Sequence, residues 1–347
     1  MKKQLLSCCL AALGLTAIQA QSFNEWKDPE VNSVNRSAMH TNYFAYASAE
    51  EAKAGIKENS TNFMTLNGPW KFNWVRHADA RPTDFYQTNF NDKGWDDLQV
   101  PGVWELNGYG DPIYVNVGYA WRSQFKNNPP QVPTENNHVG SYRKEIILPA
   151  DWKGKEIFAH FGSVTSNMYL WVNGRYVGYS EDSKLEAEFN LTNYLKPGKN
   201  VIAFQVFRWC DGSYLEDQDK FRNSGIFRDV YVLARPQNYI RDFFVQTQLK
   251  DNYTAADVTI PLTFAGESIP VSYKLTSACG CVVAEGISSG DSIAFSASDL
   301  TLWNAEHPYL YTLTLSTDNE TIRQRIGFRE ISIKDSIVYL NGQKVRF

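Results

Sequence analysis

Met168-Tyr169-Leu170-Trp171-Val172-Asn173-Gly174-Arg175-Tyr176-Val177-Gly178-Tyr179 is the passage on which the fold turns. Two runs of residues that pack well on a pleated surface flank an Asn-Gly pair. Asn and Gly tolerate the positive φ angles of a two-residue hairpin turn, so the passage predicts a tight β-hairpin. The same texture extends outward. Trp70-Lys71-Phe72-Asn73-Trp74 and Ile157-Phe158-Ala159-His160-Phe161 alternate with period two. Leu195-Lys196-Pro197-Gly198-Lys199-Asn200 reads as a turn, followed by a strand from Val201 to Phe207. Helical periodicity is absent over any long window. Short strands divided by turn signals predict a sandwich or barrel.

A chain of 347 residues suits two domains. Strands near Ile226 to Leu233 close the first, and Arg235-Pro236 reads as a linker because proline interrupts strands. A second set of shorter strands follows, at Ile240 to Leu249, Asp257 to Phe264, Pro270 to Leu275 and Tyr309 to Leu315; its spacing suits a small immunoglobulin-like sandwich. Residues 21–60 are polar and mixed and read as an irregular arm. The stretch 331–347 reads as a hairpin around Asn341-Gly342 whose second strand is cut, an expectation that further chain follows.

Residues 1–20 read as a secretory signal peptide: Lys2 and Lys3, an apolar run from Leu5 to Ala17, then small residues. The expected location is therefore exported, periplasmic or extracellular. No later segment is apolar enough to span a membrane. The formal net charge is −4, and it becomes more negative once Lys2 and Lys3 leave, which disfavours nucleic-acid binding. The mature chain keeps Cys210, Cys279 and Cys281. Cys279-Gly280-Cys281 reads as too tight for an easy disulfide, and no histidine cluster nearby favours zinc. The 10 Trp, 19 Tyr and 20 Phe suit sheet cores first, and flat surfaces for stacking sugars second.

Three passages are more specific. The first is Val100-Pro101-Gly102-Val103-Trp104-Glu105, then Gly108-Tyr109-Gly110-Asp111-Pro112-Ile113-Tyr114-Val115-Asn116. The second is Trp209-Cys210-Asp211-Gly212-Ser213-Tyr214-Leu215-Glu216-Asp217-Gln218-Asp219, then Ser224-Gly225-Ile226-Phe227-Arg228-Asp229-Val230. The third is Leu302-Trp303-Asn304-Ala305-Glu306-His307-Pro308-Tyr309-Leu310-Tyr311, then Gly327-Phe328-Arg329-Glu330. Pro133-Thr134-Glu135-Asn136 fits the same pattern. Together they resemble glycoside hydrolase family 2, β-galactosidase type, from about residue 25 to 347.

The resemblance implies an all-β chain: a jelly-roll sugar-binding domain at 61–236, an immunoglobulin-like β-sandwich at 237–330, and the beginning of a TIM barrel at 331–347. The catalytic glutamates of such enzymes lie on the barrel, so this chain holds no catalytic residue and is expected to be inactive alone. The implied reaction is hydrolysis of terminal β-D-galactosides, with sodium and magnesium as ions of the full-length enzyme. The partners implied are β-galactoside sugars and the barrel portion, with a homo-oligomer allowed. β-Glucuronidases and β-mannosidases share the family, and a stand-alone exported carbohydrate-binding protein is the alternative.

Two residues carry over as substrate-binding. Asn116 matches an asparagine that reaches the galactose, and Asp219 matches an aspartate that contacts sugar and helps ligate sodium. An amide offers a donor and an acceptor to a hydroxyl, and a carboxylate suits both hydroxyls and a hard cation. Taken alone, Asn116 is an ordinary turn residue and the acidic run an ordinary solvated loop. Glu216, Asp217, Trp209, Arg222 and Arg228 read as structural. His138, His160 and His307 show no ligand spacing.

Overall fold

The computed structural model describes residues 23–121, 124–216 and 219–346. The signal peptide expected at 1–20, Asp217 and Phe347 fall outside them. The chain is built almost entirely of antiparallel strands, in two sandwiches with separate cores.

The first sandwich packs a seven-stranded sheet on a four-stranded one. Asn167–Val172 and Arg175–Glu181 form the expected hairpin in the larger sheet, with Asn173 at φ 51° and Gly174 at φ 81°. Strand Lys199–Phe207 lies beside it and pairs along its whole length with Val139–Ile147. Leu170, Val172, Ile202, Phe204 and Val206 face the smaller sheet, where Ile157, Ala159, Phe161, Val230 and Val232 complete the core. The alternate residues Tyr169, Trp171, Tyr179, Ala203 and Phe207 are also buried, under Trp26, Phe85 and Trp121 from the loops. A sheet covered on both faces needs apolar residues on both, which is why the run 168–172 does not alternate.

The second sandwich sets Val271–Thr276, Val282–Ser288, Tyr311–Ser316 and Thr321–Ile326 against Ala255–Ala265 and its neighbours. The strand expected from Ile240 to Leu249 is interrupted, giving Tyr239–Phe243 and Gln246–Lys250. The register on Ala255–Ala265 shifts by one residue between Ile240 and Asp242 and then continues across the gap, with Phe243 opposite Leu262 and Gln246 opposite Thr259. Pro261 faces the gap. It accepts a hydrogen bond from the Phe244 N–H but has no N–H to return, so the ladder lapses there.

The arm at 21–60 is not irregular. Ser33–Val34 pairs with Tyr179 and Ser180 at the edge of the large sheet, and Ala45–Tyr46 pairs with Thr321 and Ile322 at an edge of the second sandwich. Between Ala49 and Ala54 it makes a helix, with the Ser48 hydroxyl accepting from the Glu51 N–H and Gly55 ending it at φ 71°. The arm thus covers an edge strand in each sandwich. The junction at Arg235 is equally ordered. Arg235 is buried, its guanidinium donating to both Glu320 oxygens at 2.9 and 2.7 Å and to the Tyr43 hydroxyl at 2.8 Å.

Residues 331–344 form a small antiparallel ribbon: Ile331–Lys334, Ile337–Leu340 and Gln343–Lys344. The Asn341-Gly342 turn is where the sequence places it, with a further strand before it. No parallel barrel strand occurs among the described residues.

Candidate functional site

The first two specific passages, distant in sequence, meet in space. Strand Lys199–Phe207 delivers Arg208, whose side chain is almost fully buried. One of its amino groups donates to the Asp111 carbonyl at 2.8 Å and lies 3.7 Å from the Glu105 carboxylate; the other contacts His138 Nδ1 at 3.0 Å. Burial, and then the Arg208 charge, push the His138 pKa down to about 3. The ring is therefore neutral, and Nδ1 accepts the guanidinium proton. Glu105 in turn accepts from the Ser224 N–H at 2.9 Å, and burial raises its pKa. Asn137, next to the Pro133–Asn136 passage, receives the Trp209 N–H at 2.9 Å and donates to the Trp209 carbonyl at 3.0 Å.

On this base stands a two-stranded ribbon, Ile113–Val115 against Lys220–Arg222. Val115 pairs with Lys220, and the same register carried one residue further sets Asn116 opposite Asp219. Both are exposed. The Tyr114 hydroxyl donates to Asp219 Oδ1 at 2.5 Å, and this bond to a carboxylate raises the tyrosine pKa. Tyr114 and Phe221 project from one face with ring centres 5.4 Å apart and exposures of 55% and 63%. An amide, a carboxylate and two exposed rings at one ribbon end can hydrogen-bond hydroxyls and stack the apolar face of a sugar ring. Sequence reasoning named Asn116 and Asp219 as candidates and did not single out the neighbouring Tyr114 or Phe221, whose exposure is signalled by the alternation of Ile113-Tyr114-Val115 and Lys220-Phe221-Arg222.

Glu216 and Arg228, read as structural, both bond to other parts of the protein. The Glu216 carboxylate accepts from both the N–H and the hydroxyl of Ser183. Arg228 donates to the carbonyls of Gly162 and Lys184, and among the described residues of the acidic loop it has no hydrogen-bond acceptor. The third passage does not join the site; Trp303 and Phe328 bond through their backbones in the second sandwich, and Arg329 lies over the Trp303 ring.

Among the described residues, one group of three offers metal-ligand atoms within 4.8 Å of one another: Glu181, Cys210 and Asp211. Glu181 accepts from the Tyr179 hydroxyl, Asp211 accepts from the Gly212 N–H at 2.9 Å, and the second Asp211 oxygen is buried without a hydrogen-bond partner. Burial, and then Asp211, push the Glu181 pKa up to about 8, and burial raises the Cys210 thiol well above its ordinary value. Paired carboxyls can serve glycoside hydrolysis. These two are buried, and a glycosidic oxygen cannot reach them.

Residues 63–236 match the family described as "Glycosyl hydrolases family 2, sugar binding domain", and residues 238–329 match "Glycosyl hydrolases family 2". A β-galactosidase of Priestia megaterium is 37% identical, over 94% of this chain and 34% of its own length. One from Actinobacillus pleuropneumoniae is 38% identical, over 93% and 31%. The chain thus spans about a third of these relatives. Among solved structures, a β-glycosidase from Bacteroides vulgatus superposes with a TM-score of 0.63 at 26% identity, covering 81% of this chain and 36% of that one. A β-glucuronidase from an uncultured Clostridium gives 0.64 at 19% identity, over 83% and 48%, a likeness of fold alone. Among the described residues no helix is long and apolar enough to cross a membrane. With both sandwiches matched in order and the two specific passages folded into one ribbon base, the chain belongs to glycosyl hydrolase family 2.

Proposed function

We propose that this chain is the sugar-contacting and scaffolding front part of an exported β-galactosidase, which hydrolyses terminal β-D-galactosides. The observation that carries the reading is the ribbon end, where exposed Asn116 and Asp219 flank the paired Val115 and Lys220 and the Tyr114 hydroxyl bonds Asp219 beside the Phe221 ring. The names of the 37–38% identical relatives favour galactose over the other sugars of the family.

Retaining hydrolysis needs a nucleophilic carboxylate and an acid–base carboxyl about 5–5.5 Å apart. In this proposal both come from a following barrel, and the ribbon end holds the sugar against them. Asn116 donates to and accepts from one hydroxyl, and Asp219 accepts from others. Asp219 also fits sodium, since an exposed carboxylate with one oxygen already oriented by Tyr114 is a hard donor with capacity to spare. The ion would supply charge neutralisation there. Magnesium belongs to the full-length enzyme in the same proposal.

The test is a hybrid in which residues 23–346 replace the corresponding first third of the Priestia relative. Hydrolysis of an aryl β-galactoside, with Asn116→Ala and Asp219→Ala each raising KM or lowering kcat/KM at least about tenfold, is the expected result. A preference for the β-glucuronide or β-mannoside would overturn the substrate. Turnover by the 347-residue chain alone would overturn the assignment of the chemistry to the barrel.

A further inference from the structure

The hairpin between Val271–Thr276 and Val282–Ser288 ends in Ser277-Ala278-Cys279-Gly280-Cys281. Read as sequence, Cys-Gly-Cys is too tight to cross-link easily. In the structure the two sulfur atoms lie 2.7 Å apart, inside the van der Waals contact of two sulfurs, as free thiols exposed to solvent. Gly280, at φ 83°, supplies the left-handed turn that folds both side chains to one side. The tip is fastened rather than loose. The Gly280 N–H donates to the Ser277 carbonyl at 2.9 Å, the Ser277 N–H to the Cys281 carbonyl at 2.9 Å, and the Ala278 N–H to the Tyr309 hydroxyl at 3.1 Å. Ser277 Oγ stands 3.1 Å from Cys279 Sγ.

We propose that this tip is a thiol–disulfide exchange site, with Cys279 the attacking thiol, Cys281 the resolving thiol and a small disulfide the substrate. The Cys279 thiolate forms a bond to one sulfur of the substrate, and the other leaves as a thiolate that takes a proton. Cys281 then releases its proton and attacks Cys279 Sγ, expelling the second thiolate. Two protein thiols become one disulfide, and one substrate disulfide becomes two thiols.

The order follows from the surroundings. The Cys281 thiol, and then the Ser277 hydroxyl, hydrogen-bond to Cys279 and draw its pKa down to about 7, while the same pairing raises Cys281. Near neutral pH the nucleophile is therefore Cys279. Cys210 is a contrast: buried, and kept as a thiol.

The full chain is incubated with oxidised glutathione at pH 7, acid-quenched, alkylated and mapped by mass. The peptide containing 279–281 is expected to escape alkylation at both cysteines, to weigh about 2 Da less than its dithiol form and to carry no glutathione, and Cys210 is expected to carry no glutathione. Cys281→Ser is expected to trap glutathione on Cys279. Cys279→Ser is expected to react at least about tenfold more slowly. A stable glutathione adduct on the unaltered chain, disulfide-linked dimers, or equal rates for the two variants would overturn the proposal. Both substitutions lie on an exposed tip, and an unchanged circular dichroism spectrum separates loss of exchange from loss of fold.

Discussion

Replacing Glu181 with glutamine is expected to change how stability depends on pH, in a window that can be worked out in advance. The Glu181 carboxyl is held up to about 8 by burial and by Asp211, against an ordinary 4.5. In that range the folded chain keeps a proton that the unfolded chain has released, so stability falls as pH rises toward about 8. Two groups act in the opposite sense at lower pH. His138, depressed to about 3 from 6.5, stays neutral in the fold, so stability is lost as pH falls below 6.5. Glu188, depressed to about 2 from 4.5, does the same in stronger acid. Above pH 6.5 neither changes, and the Glu181 proton stands out. One whole proton gives a slope of about 1.4 kcal/mol per pH unit, so the unaltered chain is expected to lose up to about 2 kcal/mol between pH 6.5 and 8. Glu181→Gln keeps the shape, offers Asp211 an N–H, and has nothing to release, so its stability should run flat relative to the parent. Urea unfolding in the presence of a chelator, at half-unit steps, measures both curves without a cation competing for the carboxyls. Cys279 also titrates in the window, but equally in both chains, and cancels in the difference. Parallel curves, or a parent chain that gains stability toward pH 8, would refute the proton retained on Glu181.

The other perturbations address packing and the ribbon. Arg235→Met leaves Glu320 buried and unpaired and should cost about 3–5 kcal/mol, seen by calorimetry as a lowered melt of the second sandwich. Gly140→Ala places a methyl 2.4 Å from Trp104 and 2.7 Å from Phe72, so urea unfolding should show a loss of about 1–3 kcal/mol or more. Tyr114→Phe removes an exposed hydroxyl and should leave stability within about 0.5 kcal/mol. In the hybrid enzyme it should still weaken galactoside use by about 3- to 10-fold, because Asp219 loses the bond that aims it; an unchanged KM would show that the aiming is unimportant.

What was legible in the sequence is what short-range chemistry controls. Asn173-Gly174 and Asn341-Gly342 declare their turns because few other pairs accept two positive φ angles. The division at Arg235-Pro236 was legible for the proline, but the arginine before it was not: its partner Glu320 is 85 positions away. The arm was unreadable because each of its strands is two residues long, too short for a period, and its pairing depends on edges made elsewhere. Glu181 and Asp211 likewise come together only through sheet topology. The Cys279 and Cys281 contact went unforeseen because the spacing alone does not reveal a left-handed Gly280.

The site illustrates how a surface residue can be made precise without being buried. Asn116 and Asp219 stand in solvent at the end of strands of three residues each, a ribbon that would be marginal by itself. Its rigidity comes from below. Arg208 grips the Asp111 carbonyl just before one strand, and Glu105 grips the Ser224 N–H just after the other. Both charges lie in the interior, where losing either partner strands the other. Under the proposed function, a ligand group held this way would have given up its freedom before a sugar arrives, so less binding energy would be lost on ordering it. The same logic assigns roles across the acidic loop: Glu216 is spent on the N–H and hydroxyl of Ser183 and one buried Asp211 oxygen on the Gly212 N–H, while exposed Asp219, held by one tyrosine hydroxyl, keeps acceptor capacity for a hydroxyl or an ion.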